Sequence, residues 1–297
     1  DLDAEWAESQ PDPSPSDAFK NVVMDNNQHE LPIPSPNSGD KVVLVDAINH
    51  ALDEELENND KLVIYGQDVG GDKGGVFTAT RGLTDKYGLD RVFNSPLAES
   101  SIIGTAIGMA TLGYRPVVEI QFGDYIWYGM MQIRNELATL RYRSNGKWSC
   151  PFVIRVPVGG YIHGSLCHSQ SIDGYFTHLP GIYIVYPSNA SDAKGLLKMA
   201  CRMDDPVIFM EHKGLYRQGY ASASEPDKNY LLHFGKASKV QEGKDVTIVT
   251  WGALVQKSIE AAQNSGLSVE IIDIRTLNPL DMGTILTSLQ KTNRAMV

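Results

Sequence analysis

Apolar positions along the chain follow two spacings that alternate. Leu44, Ile48, Ala51, Leu52 and Leu56 recur at three and four residues, with Asp53, Glu54, Glu55 and Glu57 on the other sides, which predicts an amphipathic helix. Leu62–Tyr65 is a short unbroken apolar run, read as a buried strand ending at Gly66-Gln67-Asp68. Asn94-Ser95-Pro96 is a turn signal, because the residue before a proline is driven out of the helical region. Behind it Ile102, Ile103, Ala106, Met109 and Ala110 mark one face of a second helix, which Gly113 closes. Gly104 and Gly108 on neighbouring turns each cost a helix roughly 1 kcal/mol and predict close backbone packing. Pro116–Gln121 then reads as a buried strand rich in Val and Ile.

The alternation continues. A long helix is predicted over Ile126–Arg143, carrying Met130, Ile133, Leu137 and Leu140, and a strand over Phe152–Val156. A glycine-rich loop, PVGGYIHGSLCHSQS, follows. Next come a strand at Tyr183–Tyr186, a helix from Ser191 to about Met203 and a strand at Val207–Met210. The polar stretch Arg217–Leu231 separates these from a second run: strand Val246–Trp251, helix Ala253–Asn264 and strand Val269–Ile274. Such alternation predicts an α/β protein with a parallel sheet flanked by helices. The second run offers only two strands and little more than one helix before Val297, too few to close a sheet alone. The expected organisation is an arm or linker over 1–40, an α/β domain over 41–225, and an incomplete C-terminal α/β domain over 232–297. In the arm, Pro11, Pro13, Pro15, Pro32, Pro34 and Pro36 predict extended chain laid over a surface.

Composition narrows the classes. The 297 residues are 42 % apolar, enough for real cores, and 36 acidic against 26 basic residues give a formal charge of -10. That balance argues against nucleic acid and anionic membrane as partners, since neither gains the counterion release that a basic patch gives. No apolar run approaches the ~20 residues of a bilayer span. The opening DLDAEWAESQ lacks the basic flank and apolar core of a secretory signal. Cys150, Cys167 and Cys201 are scattered without a CxxC pair, which argues against a disulfide framework or a zinc site. Cytoplasm or an organelle matrix fits, and no metal ligand set is expected. Gly70, Gly71, Gly74 and Gly75 make a flexible loop without the order of a dinucleotide fingerprint.

The candidate chemistry gathers around Glu99. An acidic residue in a first helical turn is commonly there for the helix dipole, worth about 0.3–1 kcal/mol. Here, though, the carboxylate stands at the mouth of a turn-helix unit whose next strand delivers Gln121 and Tyr125. That looks like half of a binding site. Of the seven histidines, His163 and His168 lie in the glycine-rich loop. Cys167 beside them is read as packing, because no base is placed for it.

Several stretches together carry a resemblance: YGQDVGGDKGGVF, GLTDKYGLDRVFNSPLAE, VVEIQFGDYIW, LRYRSNGKWSCPFVIRVP, HGSLCHSQS, DAKGLLKMA and VTWGALV. Over about residues 42–297 the chain resembles the β subunit, or β half, of the decarboxylating component of 2-oxo acid dehydrogenase complexes, closest to the branched-chain type. The resemblance implies a transketolase-like fold and thiamine diphosphate as cofactor. It implies that Glu99 in PLAES hydrogen-bonds the cofactor's aminopyrimidine and exchanges a proton with it, and that Leu97, Gln121 and Tyr125 line the same ring. His168 in CHSQS matches a histidine serving substrate orientation or acyl transfer. The reaction implied is decarboxylation of a 2-oxo acid, branched-chain or pyruvate, with acyl transfer to the lipoyl group of a partner acyltransferase.

Departures are equally informative. The GDG…N signature that holds magnesium and the diphosphate is absent, so it is expected on an α subunit or α half, in an α2β2 assembly with each site between α and β. The family's monovalent-cation (K+) site near the helix end before DDP has Met203 where an acidic residue is commoner. Two other readings are a non-catalytic assembly subunit and another transketolase-like enzyme; the latter would carry the diphosphate motif in the same chain.

Overall fold

The computed structural model describes residues 1–24 and 39–297. Its first element, α1 (Leu2–Glu8), buries none of its residues. Extended chain was expected over PDPSPSD, but Pro15–Phe19 winds into a 3-10 turn. Ser14 N–H donates to Asp17 Oδ2 at 2.7 Å, and Pro15 enters with its φ already set for a helical start. Residues 21–24 then lie on the main body, where Asn21 Nδ2 donates to Asn145 Oδ1 at 2.9 Å and Val23 packs on the core. The prolines at 32, 34 and 36 fall outside the described residues.

A short β1 (Lys41–Val42) leads into α2 (Leu44–Asn58), whose apolar stripe is buried as its spacing predicts. After β2 (Leu62–Gly66) come α3 (Leu83–Tyr87), β3 (Val92–Asn94), α4 (Glu99–Thr111) and β4 (Arg115–Glu119). The chain continues through α5 (Leu140–Arg143), β5 (Val153–Val158), α6 (Asp173–Phe176), β6 (Tyr183–Val185), α7 (Ala190–Arg202) and β7 (Val207–His212). Beyond β8 (Ala223–Ser224), which pairs with β1, lie β9 (Ser238–Gln241), β10 (Val246–Thr250), α8 (Ala253–Ser265) and β11 (Val269–Asp273). The last elements are β12 (Thr276–Asn278), α9 (Met282–Thr292) and β13 (Ala295–Met296).

The main sheet has the order β12-β6-β7-β5-β4-β2-β3, parallel except for β12 at its edge. Every residue of β2, β5 and β6 is buried, as expected for strands covered on both faces. Around the C-terminal stretch the structure exceeds the two-strand reading: β13-β10-β11-β9 form a four-stranded sheet. The extra strands are short, and Ser238-Lys239-Val240-Gln241 carries too little apolar pattern to announce itself.

Two further expectations are corrected. Ile126–Arg143 is helical but not one α-helix: it is 3-10 over Gly123–Gly129, π-helical over Gln132–Leu137 and α at Leu140–Arg143. The tight winding ends where Gly129 crosses α4, since a Cβ there would stand 2.9 Å from Ile103 Cγ1. The wider π turn then returns Ile133 and Leu137 to the core. Gly104 and Gly108 do not mark close packing within the chain. Both face outward; a Cβ on Gly104 would reach only Gln132 Cγ at 3.8 Å, and one on Gly108 would meet nothing within 4 Å.

Several charged side chains are structural. Lys194 and Lys198 of α7 are buried against α2, Lys194 Nζ 2.7 Å from Glu54 Oε1 and Lys198 paired with Glu54 Oε2. Arg202 Nη2 meets Glu55 Oε1 at 2.7 Å.

Candidate active site

Ligands in open α/β sheets bind outside the carboxyl ends of the strands, and the predicted residues collect there. β2 hands the chain to Gln67, and Gln121 follows β4 by two residues. Glu99 is the first residue of α4, where backbone N–H groups and the helix dipole favour a carboxylate. Gln67, Leu97, Ala98, Glu99, Ser100, Gln121, Tyr125 and Tyr128 line one open cavity of about 530 Å³.

Within it Glu99 is 9 % exposed, and its Oε1 accepts from Gln67 Nε2 at 3.3 Å. Gln67 Oε1 is buried and has no hydrogen-bond partner among the described residues. Gln121 Nε2 donates to Gln67 O and Asp68 Oδ2, each at a long 3.4 Å.

Tyr125 sits on the 3-10 turn, edge-on to Phe122. Its hydroxyl is 2.8 Å from His168 Nε2, while His168 Nδ1 is 2.9 Å from Gly164 O. A carbonyl oxygen only accepts, so Nδ1 carries a proton, and with the ring neutral the Tyr125 O–H is the donor to Nε2. Burial, followed by the nearby Cys167, Asp124 and Glu99, raises the Tyr125 phenol above its ordinary range and keeps that donor proton in place. Phe122 meets the His168 ring edge-on at 4.5 Å, and the Asp124 carboxylate accepts from Ser169 N and Gln170 N at 3.4 Å.

Leu97, Glu99, Gln121 and Tyr125 therefore share the cavity, and His168 joins it through Tyr125. Leu97 stands at the mouth, 83 % exposed. His163 is exposed and does not line the cavity. Sequence reasoning passed over Gln67, whose place directly behind the buried run Leu62–Gly66 was the available signal. It also passed over a buried ion cluster that joins β4, β5 and β7. There Arg155 bridges Glu211 at 2.7 and 2.8 Å and Glu119 at 2.8 Å, and Tyr216 O–H donates to Glu211 at 2.6 Å.

At the turn after α7 the backbone and carboxylate oxygens are engaged by two arginines. The Met203 carbonyl already accepts from Arg115 Nη1 and the Asp204 carbonyl from Arg141 Nη2, and the carboxylates of Asp204 and Asp205 pair with the same two arginines. Among the described residues no group of three or more His, Cys, Asp or Glu side chains is placed to hold a metal ion. No helix there is long and apolar enough to cross a membrane.

The sheet and its cavity define a transketolase-type pyrimidine-binding protein with a second, smaller α/β unit. The transketolase pyrimidine-binding domain matches residues 40–218 and the transketolase C-terminal domain residues 235–297. A solved chain titled "Split gene transketolase, inactive beta4 tetramer" shares this fold with a TM-score of 0.66 at 23 % identity, covering 86 % of this chain and 77 % of that one. The 2-oxoisovalerate dehydrogenase subunit beta of Bacillus subtilis (strain 168) is 46 % identical over 254 residues, 84 % of this chain and 77 % of its own length. The pyruvate dehydrogenase E1 component subunit beta of the same organism is 45 % identical over the same shares. This chain belongs to the family of 2-oxo acid dehydrogenase E1 β subunits.

Proposed function

We propose that the chain is the β component of a thiamine-diphosphate-dependent 2-oxo acid dehydrogenase, acting on a branched-chain 2-oxo acid or pyruvate and passing the acyl group to the lipoyl group of a partner acyltransferase. The observation that carries this is the cavity that joins Glu99, Gln67, Gln121 and Tyr125 and backs onto His168. Its residues fit an aminopyrimidine. Gln67 Oε1 is an unfilled acceptor suited to an amino N–H, Glu99 supplies the carboxylate, and Tyr125 an aromatic wall. When bound, the cofactor supplies a carbon nucleophile and an electron sink for decarboxylation. Glu99 holds and exchanges a proton at Oε1 or Oε2. Gln67 and Gln121 orient the ring, and His168 accepts or relays a proton through the Tyr125 hydroxyl at Nε2.

The cavity is open, with Leu97 and Tyr128 exposed at 83 % and 73 % beside it, which supports a site completed by another chain. We assign the diphosphate and Mg2+ to an α subunit or α half carrying GDG…N, in an α2β2 assembly. A monovalent cation such as K+ near the turn at 203–205 would have to share carbonyls that already accept from Arg115 and Arg141. We take 1–40 as an arm, 41–225 as the pyrimidine-binding domain and 232–297 as the C-terminal domain, in line with the ranges of the two matched families. Three unpaired cysteines support a reducing compartment, cytoplasm or organelle matrix.

Glu99→Gln tests the reading. It keeps the shape and the contact with Gln67 but cannot exchange a proton, so turnover of the reconstituted complex should fall ~10²–10⁴-fold with its melting temperature unchanged. Near-normal turnover would remove Glu99 from the chemistry.

A further inference from the structure

β7 ends by sending two neighbouring residues in different directions. His212 lines a second cavity of about 500 Å³, shared with Trp251 and Lys257 of the C-terminal unit. Lys213 turns instead toward the candidate active site. It is 2 % exposed, and its Nζ has no hydrogen-bond partner among the described residues. What it does have is the face of Phe122, with Nζ 5.4 Å from the ring centroid. That same ring packs edge-on to His168 at 4.5 Å and to Tyr125 at 5.5 Å. The carboxylate whose charge acts on Lys213 is Asp124, which holds the backbone amides of Ser169 and Gln170 directly after His168.

A sealed ammonium without a hydrogen bond is strongly unfavourable unless some other interaction offsets its lost hydration. Both offsets available to Lys213, a π face and a nearby carboxylate, belong to groups that seat His168. We infer that Lys213 is a positioning residue: its ammonium fixes Phe122 and Asp124 so that His168 stays beneath the Tyr125 hydroxyl. This rests on the role proposed above for His168.

The arrangement has a built-in pH limit. Burial lowers Lys213 to about 8, against the upward pull of Asp124. Titratable neighbours include His212 at the end of β7, itself lowered to about 4 by burial and then by Lys213, and His168 and Tyr125, which pack on the same Phe122 ring. Loss of the Lys213 proton releases the hold on both Phe122 and Asp124. Acyl transfer should therefore fall on an alkaline limb near pH 8.

The test uses the complete complex, assembled with its α chain and lipoyl acyltransferase. Decarboxylation is followed with an artificial electron acceptor, and acyl transfer with lipoyl domain, from pH 6 to 9. Lys213→Met should slow acyl transfer roughly 10-fold more than decarboxylation, within the loss that a misplaced catalytic group produces, and should abolish the limb near pH 8. Lys213→Gln, which also cannot ionise but keeps a polar end, should lose the limb too and serves if the Met variant does not assemble. His168→Ala, measured in parallel, separates the two ideas. If that variant transfers acyl groups normally, the reading of His168 fails. If it is impaired while both Lys213 variants keep the wild-type rate ratio and limb, the inference about Lys213 is overturned.

Discussion

Replacing Arg155 with methionine should destabilise the chain sharply and in a pH-dependent way. Arg155 is fully buried, and so are the carboxylates it serves, Glu119 at 2 % and Glu211 at 0 % exposure. Methionine fills much of the volume but removes three charge-assisted hydrogen bonds of 2.7–2.8 Å. Breaking a buried pair from one side costs about 3–5 kcal/mol, because the remaining charge has no compensation. At about 2–3 °C per kcal/mol for a chain of this size, the melting temperature at pH 8 should fall by roughly 6–15 °C. Burial already raises the Glu119 carboxyl, opposed by Arg155 and assisted by Glu211, and without Arg155 it rises further. A carboxyl raised in the folded state contributes its stability below the unfolded pKa and loses it as pH climbs through the folded one. The gap between wild type and variant should therefore be narrower at pH 5.5 than at pH 8. Calorimetric melts at both values measure it, with Tyr216→Phe as a milder control that removes one hydrogen bond to Glu211, worth about 1 kcal/mol. A drop below 2 °C, or a gap indifferent to pH, would refute the view that this cluster is ionised and mutually dependent.

Three shorter predictions concern the site. His168→Ala should retain thiamine diphosphate in the assembled complex yet fail to acylate lipoyl substrate; equal loss of cofactor affinity would make it a structural loop residue. Gln67→Leu should weaken cofactor binding by roughly 2–12-fold, the worth of one neutral hydrogen bond, and change the melting temperature of the cofactor-free protein little, since relief of an unsatisfied buried acceptor offsets the loss of the long 3.3 Å bond to Glu99. Calorimetry on this chain alone, with Mg2+ and cofactor, should show no tight binding, and adding an α chain with GDG…N should restore it. Sub-micromolar binding by the lone chain would mean that the diphosphate is held here.

Much of this was readable in the residues, for identifiable reasons. Strands buried on both faces are mostly apolar, so Leu62–Gly66, Val153–Val158 (Arg155 apart) and Tyr183–Val185 announced a parallel sheet. Glu99, Gln121 and Tyr125 were within reach because each follows a turn or strand end, where such sheets place their functional groups. What stayed hidden depends on contacts between distant segments. Arg155 among Val and Ile gives no sign of the two glutamates on β4 and β7 that make its burial tolerable. Lys194 and Lys198 have the spacing of a solvated helix face until α2 supplies Glu54. The π turn at Gln132–Leu137 cannot be told from an α-helix by spacing alone, because its apolar residues still return at about one turn. Gly104 and Gly108 misled for the opposite reason: a glycine on an exposed helix face can stand where nothing approaches it within the chain, and spacing alone does not distinguish that from close packing.

The antiparallel strand β12 carries a consequence for how the chain must be handled. It belongs to the C-terminal stretch, yet it pairs with β6, with Thr276 opposite Val185, and Asn278 Nδ2 donates to Ile182 O at 2.7 Å. Without it β6 would be the outermost strand, presenting unpaired N–H and C=O groups beside Tyr183, Ile184 and Val185. An apolar open edge of that kind is a template for other chains to add to. The same seam holds Arg275 against Asp192, Trp251 against Asp173, and Ser188 against Asp273. Cutting the chain between the two units would therefore yield a sticky, aggregation-prone fragment in place of a free-standing module. In the intact protein the same seam ties the melting of one unit to that of the other.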